Sequence, residues 1–181
     1  PNTYCGAGWN LELGSIIRMA KRKGVPTYDD SKDIFLLMNQ GSASELVSIG
    51  SNQYRPKIES GFAKIIYNST YWEITDKSGI RYYFGQQDAS RSTSPKGTYK
   101  WCLDKLIDTN SNYMTISYQK DQGEIYPSQI DYTGNEQTNL APTNTVTFVL
   151  EPRPKAIYNS TSGSTKILAK RLSEIQIDIS N

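Results

Sequence analysis

The chain has 181 residues, a formal net charge of +2 from 20 basic and 18 acidic side chains, and an apolar fraction of 36%. An average globular domain has about 45–50% apolar residues, and Leu, Ile, Val and Phe together supply only about a fifth of this chain, but so small a net charge argues for a folded chain rather than a disordered one. There is no histidine, which excludes a Ser-His-Asp or Cys-His relay and any His-ligated metal site within the chain.

The 13 tyrosines and 3 tryptophans therefore have to supply core area that aliphatic residues do not. The near-balance of charge excludes the clustered basic face that a nucleic acid binder needs. The run Lys21-Arg22-Lys23 is short and reads as a solvated loop. Cys5 and Cys102 are too few and too far apart for a metal knuckle, and nothing in the sequence says whether they pair. No apolar run is long enough to span a membrane. The chain starts on Pro-Asn-Thr-Tyr without an initiator Met and stops inside an alternating Ile-Asp-Ile segment. It is expected to be a single β-rich domain over residues 1–181, cut from a larger protein.

In chain order, Gly6-Ala7-Gly8 predicts a tight backbone turn beside Trp9; Leu11 stands where a phosphate loop would carry its next glycine. Strands are predicted at 15–20, 34–38 and 45–49. Ser31 could cap a helix, but Ile34-Phe-Leu-Leu-Met38 is apolar on every side and reads as a buried strand. Residues 62–84 read as a three-strand meander, broken by Asn68-Ser-Thr70 and Asp76-Lys-Ser-Gly79. Trp72 and Ile74 alternate with Glu73 and Thr75, and Ile80, Tyr82 and Phe84 with Arg81 and Tyr83. Residues 99–119 read as a long hairpin about Asp108–Asn112. Strands follow at 125–132, Thr145–Leu150 and 166–172, and Ile175, Ile177 and Ile179 alternate with polar residues as in a half-buried strand. Long polar loops are expected at Gly85–Gly97, Gly134–Asn144 and Asn159–Thr165, and Pro152 and Pro154 mark a strand end or an edge. The fold class is all-β: curved antiparallel sheets built from meanders and hairpins, with little helix.

Candidate chemistry is sparse. Asp29, Asp30 and Asp33 lack the register of a calcium loop and read as solvated. No motif supports a glycosidase carboxylate pair. Tyr4, Tyr28, Tyr54, Tyr71, Tyr82, Tyr83, Tyr99, Tyr113, Tyr118, Tyr126, Tyr132 and Trp101 could stack on sugars if exposed, but tyrosine also suits a half-buried strand with its ring covered and its hydroxyl wet. Ile66-Tyr-Asn-Ser-Thr70 recurs as Ile157-Tyr-Asn-Ser-Thr161 with unmatched flanks, which favours coincidence over duplication. Catalytic, cofactor-binding and metal-binding residues are accordingly none.

The order of several motifs carries more. Gly6-Ala-Gly-Trp-Asn-Leu11 with Gly14-Ser-Ile-Ile-Arg18, Gly24-Val-Pro-Thr-Tyr-Asp-Asp30, Asp33-Ile-Phe-Leu-Leu37 and Glu45-Leu-Val47 come first. Tyr54-Arg-Pro-Lys-Ile-Glu59, Phe62-Ala-Lys-Ile65, Tyr71-Trp-Glu-Ile74, Tyr83-Phe-Gly85, Trp101-Cys-Leu-Asp-Lys-Leu-Ile-Asp-Thr-Asn110 and Tyr132-Thr-Gly134 follow. This series resembles the amino-terminal region of Salmonella plasmid virulence protein B and of insecticidal toxin-complex B components, relatives of the Rhs/YD-repeat proteins. The family's Asn-Gly-Asn turn is Asn110-Ser111-Asn112 here, so the turn need not be of the tight glycine type. The resemblance implies a non-catalytic scaffold segment of a secreted or surface toxin-type protein, helping to form a β-rich shell around a toxin domain. Its partners would be the remainder of the parent chain and toxin-complex subunits. The family's separate ADP-ribosyltransferase needs a Ser-Thr-Ser strand and a Glu-x-Glu loop; Ser92-Thr93-Ser94 falls in a predicted loop and no Glu-x-Glu occurs. The alternative is a surface β module that binds glycan or a host protein. If the chain is wall, Ile175 to Ile179 should be less buried than their alternation demands.

Overall fold

The computed structural model describes residues 2–22, 24–39, 41–58 and 61–180; Lys23 of the basic run and Glu59 of the tyrosine motif lie outside them, as do the terminal Pro1 and Asn181. The strands in chain order are β1 Asn2–Thr3, β2 Gly6–Ala7, β3 Ser15–Ala20, β4 Asp33–Asn39 and β5 Ser42–Gly50. Next come β6 Gln53–Pro56, β7 Lys64–Tyr67, β8 Trp72–Thr75, β9 Arg81–Phe84, β10 Arg91–Ser94 and β11 Gly97–Ile107. The last four are β12 Asn112–Asp121, β13 Glu124–Asn135, β14 Asn144–Asn159 and β15 Lys166–Asp178. A single 3-10 turn, Asp88–Ser90, is the helical content of the described residues. The fold is all-β and antiparallel, as expected.

Strands β3 to β9 form a continuous antiparallel meander, and β11 pairs with both β3 and β9, closing these eight strands into a barrel. An all-antiparallel ring needs an even strand number, and about eight strands leave an interior that side chains just fill. Here the filling is aromatic. Phe35, Tyr54 and Tyr67 sit with their ring centroids 4.9, 4.7 and 4.6 Å from that of Trp72, and Trp101 packs 5.8 Å from Phe35. Ile16, Leu46, Ile65, Ile74, Phe84 and Leu103 complete the core. The Trp101 indole N–H donates to the Thr70 carbonyl at 2.8 Å. The barrel is thus a packed core rather than a pore.

From β11 a four-strand wing, β12-β13-β14-β15, extends away from the barrel. The expected 99–119 hairpin needs correction: β11 and β12 pair only over Lys105–Ile107 and Tyr113–Thr115. The rest of β11 is occupied by β3, β9 and β10. The predicted 85–97 loop also contains a strand, because β10 pairs with β11 from Arg91↔Trp101 to Ser94↔Gly97. Pro152 and Pro154 lie at an interruption of the β14–β15 ladder between Pro152 and Ile157, beyond the stretch of β14 that pairs with β13. That is the edge setting proline tolerates. The two Ile-Tyr-Asn-Ser-Thr copies end β7 and β14, but their turns differ: Tyr67 pairs with Trp72 and Asn159 with Lys166.

The Asp29–Asp33 loop is not uniformly solvated. The Asp33 carboxylate is fully buried and accepts from Thr27 N–H at 2.9 Å, Thr27 Oγ1 at 3.0 Å, Tyr28 N–H at 2.7 Å and Arg18 Nη1 at 3.3 Å. Arg18 is itself buried, bridges to Asp30 at 2.7 Å and lies 4.8 Å above the Phe35 ring. Burial alone would push the Asp33 carboxyl up; the donors around it outweigh that and hold it below the usual carboxylate range. Sequence spacing could not show this, because Arg18 and Asp33 meet only through the pairing of β3 with β4.

Two glycines and one serine sit where the backbone turns or lies against an aromatic ring. Gly85 has φ 73°, and a Cβ there would overlap the Trp101 indole. Gly134 lies opposite Tyr113, whose ring covers it; an added Cβ would come within 2.5 Å of that ring. Ser111 takes the left-handed conformation at φ 65°, where glycine would be at ease, while Asp108 Oδ1 accepts from the Asn110 and Asn112 N–H groups.

Gly85→Ala is expected to cost about 3 kcal/mol, from left-handed backbone plus overpacking, whereas Ser111→Gly should be neutral or stabilise by up to about 1 kcal/mol; urea melts of both variants check this. Asp33 contributes stability above its unfolded pKa of about 4, lost as pH falls through its lower folded value. Asp33→Asn should therefore lower the melting temperature at neutral pH and flatten its fall below about pH 4.

Candidate functional site: the open wing and its cleft

The registers of the wing put one face in rows. Ile116 opposes Ile130, Ile130 opposes Val146, and Val146 opposes Ile177; Phe148 opposes Ile175 in the next row. Directly opposed residues share a face, so this is an apolar stripe. It starts in the barrel core, where Ile116 is buried, and ends in solvent, where Ile175 is 47% and Ile177 62% exposed. Ile179, one step on, is 64% exposed. The opposite face is polar: Thr115, Asp131, Thr145 and Asp178 form one row, Ser117, Gln129, Thr147 and Gln176 another. The exposure expected for Ile175–Ile179 is found, and the sheet has one apolar face that runs out of cover.

The outer strand β15 pairs with β14 alone. Hairpin β1–β2 caps its first part, where the Leu172 N–H donates to the Tyr4 carbonyl at 2.7 Å. Tyr126, wholly buried, stands in for a strand: its hydroxyl accepts from the Ala169 and Lys170 N–H groups at 3.1 and 3.3 Å. Beyond Leu172 the outer edge of β15 has no strand partner among the described residues.

A clasp holds wing to barrel. Lys166 Nζ donates to Ser92 Oγ at 2.6 Å and lies 4.4 Å over the Tyr99 ring. The Tyr28 hydroxyl donates to the Ser162 carbonyl at 2.5 Å. Burial pushes the Lys166 ammonium pKa down. Ser92 of the Ser-Thr-Ser triplet is thus a buried contact within β10.

Between barrel, wing and the N-terminal segment lies a cavity of about 360 Å³, lined among others by Tyr4, Leu11, Glu12, Cys102, Tyr118 and Glu124. Its phenols and thiol are pushed toward their neutral forms: desolvation raises Tyr4, Tyr118 and Cys102. A raised thiol pKa is the opposite of what a nucleophile needs. The phenols are also occupied, Tyr4 donating to the Leu11 carbonyl at 3.1 Å and Tyr118 to that of Leu103 at 2.6 Å. The Glu12 carboxylate accepts from the Gly41 N–H at 3.2 Å. Cys5 and Cys102 are both free thiols.

The twelve aromatics named from the sequence are all buried or half-buried. Those that stand out are Phe62, 80% exposed before β7, Trp9, 75% exposed on the N-terminal segment, and Tyr158, 70% exposed near the end of β14. Tyr158 was legible as an outward residue only through its alternation with Ile157. Basic residues Lys21 and Arg22 are exposed, as expected of a loop. Among the described residues no group of three or more His, Cys, Asp or Glu side chains could hold a metal ion, and no helix is long and apolar enough to cross a membrane.

A closed, side-chain-filled barrel with an open antiparallel wing defines an all-β domain. The family model described as Salmonella virulence plasmid 65kDa B protein (SpvB) matches residues 1–149, and the chain belongs to that family. The N-terminal domain of effector protein SpvB from Salmonella typhimurium strain LT2 is similar in structure, with TM-score 0.81 and 18% identity over 97% of this chain and 78% of that one. The TcdB2-TccC3-Cdc42 structure is similar with TM-score 0.75 and 16% identity, over 97% of this chain but only 12% of that one. The Photorhabdus luminescens Tc holotoxin pore carrying TccC3-D651A has TM-score 0.79 and 15% identity, over 97% of this chain and 11% of that one. No curated protein matches the chain.

Tyr126→Phe should leave two part-buried N–H groups of β15 without that acceptor, at a cost of about 1 kcal/mol; amide exchange at Ala169 and Lys170 should accelerate more than in the barrel strands.

Proposed function

We propose that the chain is a non-catalytic scaffold segment of a larger toxin-complex or Rhs-type protein, forming a single β-rich domain that contributes to a shell enclosing or presenting a toxin domain. The observation that carries this reading is the apolar stripe that runs from Ile116 to Ile177 and ends beside an unpaired strand edge. An exposed edge with an apolar face is a template for another strand. The rest of the parent chain supplies that strand: main-chain hydrogen bonds along Ser173–Asp178 give affinity, and Ile175, Ile177 and Ile179 give register. Similar folds that make up 11–12% of much longer chains in toxin complexes support a role as one wall segment. The neutral-shifted Tyr4, Tyr118 and Cys102 support a cavity without a nucleophile. The parent is secreted or displayed on the bacterial surface, with its remaining domains and toxin-complex subunits as partners.

Hydrogen exchange tests the docking. In the isolated chain the outward-facing amides of Ser173–Asp178 should exchange rapidly, and in the full-length parent they should be protected. Ile177→Lys should leave the melting temperature of the isolated chain unchanged within about 0.5 kcal/mol of stability and disrupt assembly of the parent. Equal exchange in both contexts would overturn the proposal.

A further inference from the structure

The open edge of β15 is charged as well as apolar, and its charge has one sign. Glu174 and Asp178 lie on the face opposite Ile175 and Ile177, where they oppose Val149 and Thr145 of β14. Both are exposed. The ion pairs that involve the wing, Lys105–Glu136, Lys120–Asp88 and Arg171–Glu151, leave both out. The rows behind them hold no cation. Asp178 continues the row of Thr115, Asp131 and Thr145, and Gln176 that of Ser117, Gln129 and Thr147. Asp131 makes a third carboxylate on the same face.

A strand laid along this edge meets both faces at once. Side chains directly opposite each other come within about 4.5–5.5 Å at Cβ, close enough for opposite charges to attract and like charges to repel. On one face the incoming residues meet Ile175 and Ile177; on the other they meet Glu174, Gln176 and Asp178. The isoleucines do not choose between partners, since any aliphatic strand covers them. The carboxylates do. A second copy of the edge is turned away: in an antiparallel pair, the register that sets Ile175 against Ile177 also sets Glu174 against Asp178. Charge on an edge strand opposes self-pairing in this way.

We propose that the strand this edge receives is basic. Along Ser173–Asp178 it carries Lys or Arg opposite Glu174 and Asp178, an uncharged polar residue opposite Gln176, and aliphatic residues opposite Ile175 and Ile177. The inference rests on the docking proposed above and narrows the occupant from any strand of the parent chain to one of basic–apolar alternation. The isoleucines supply burial, and the two acids select.

The test is hydrogen exchange across Ser173–Asp178 in the full-length parent. The natural sequence is compared with two double variants, Glu174→Lys with Asp178→Lys, and Glu174→Gln with Asp178→Asn. At about 0.05 M salt the charge reversal should lower protection of these amides by about tenfold or more, and the neutral pair by less. At about 1 M salt, where the screening length is about 3 Å, the gap should close. The neutral pair keeps the side-chain shapes and carries the test if the reversal folds poorly. Protection equal or higher in the variants, or a loss that salt does not diminish, would overturn the inference and leave the docking in place. An edge unprotected in the natural parent would overturn the docking itself, and the inference with it.

Discussion

A β-strand has two edges, and in β11 both are used twice. One edge pairs with β3 over Lys100–Cys102 and with β12 from Lys105 onward. The other pairs with β10 up to Trp101 and with β9 from Leu103. The exchange happens within a few residues, where the Gly85 N–H donates to the Cys102 carbonyl and the Leu103 N–H to that of Gly14. Everything else depends on this junction: the barrel closes there, the wing departs there, and Trp101 to Asp104 are all buried there. It also explains why glycines flank it. Gly14 takes φ 97°, a conformation that a side chain would strain, and at Gly85 a Cβ would run into Trp101 and hold the strands apart.

The poverty in aliphatic residues finds its counterpart in this architecture. A narrow barrel has little interior volume per strand, and a few large rings fill it with fewer side chains than aliphatics would need. Two tryptophans, a phenylalanine and two tyrosines occupy the middle of the ring. The charges that are buried follow two rules. Asp33 is surrounded by donors and an arginine and stays ionised. Asp104 has donors on one oxygen only, so its burial is a standing cost of the carboxylate form. The two carboxylates thus bias stability against pH in opposite directions.

Much of the strand layout was readable because burial leaves a period of two. The meander of β7, β8 and β9 follows its alternation, and β3 falls at the predicted 15–20. Pairing partners leave no such trace. Residues 99–119 look like one hairpin because the turn at Asp108–Asn112 is a strong local signal, yet most of β11 pairs with strands distant in sequence. Strand β10, Arg-Ser-Thr-Ser, has no apolar residue to reveal it; its place is set by backbone hydrogen bonds and by Lys166 reaching Ser92. Tyr83 blurs its own alternation because both faces of β9 are covered. The wing stripe was half visible: the isoleucines could be read from β15, but not the row through Val146 and Ile130 that ties them to the core.

The bond from Leu172 to Tyr4 has a consequence for the order of folding. As the chain leaves the ribosome, the last barrel strand is complete at Ile107, so the barrel can close while the wing is still unmade. Hairpin β1–β2, made before any of the other strands, docks on the wing alone: Tyr126 of β13 packs against Tyr4, Arg153 of β14 donates to the Thr3 carbonyl, and Leu172 of β15 completes the seat by donating to that of Tyr4. Such remote contacts slow folding, because loop-closure entropy must be met before they form. The earliest-made hairpin is therefore the last to settle, and its arrival seals the first part of the β15 edge.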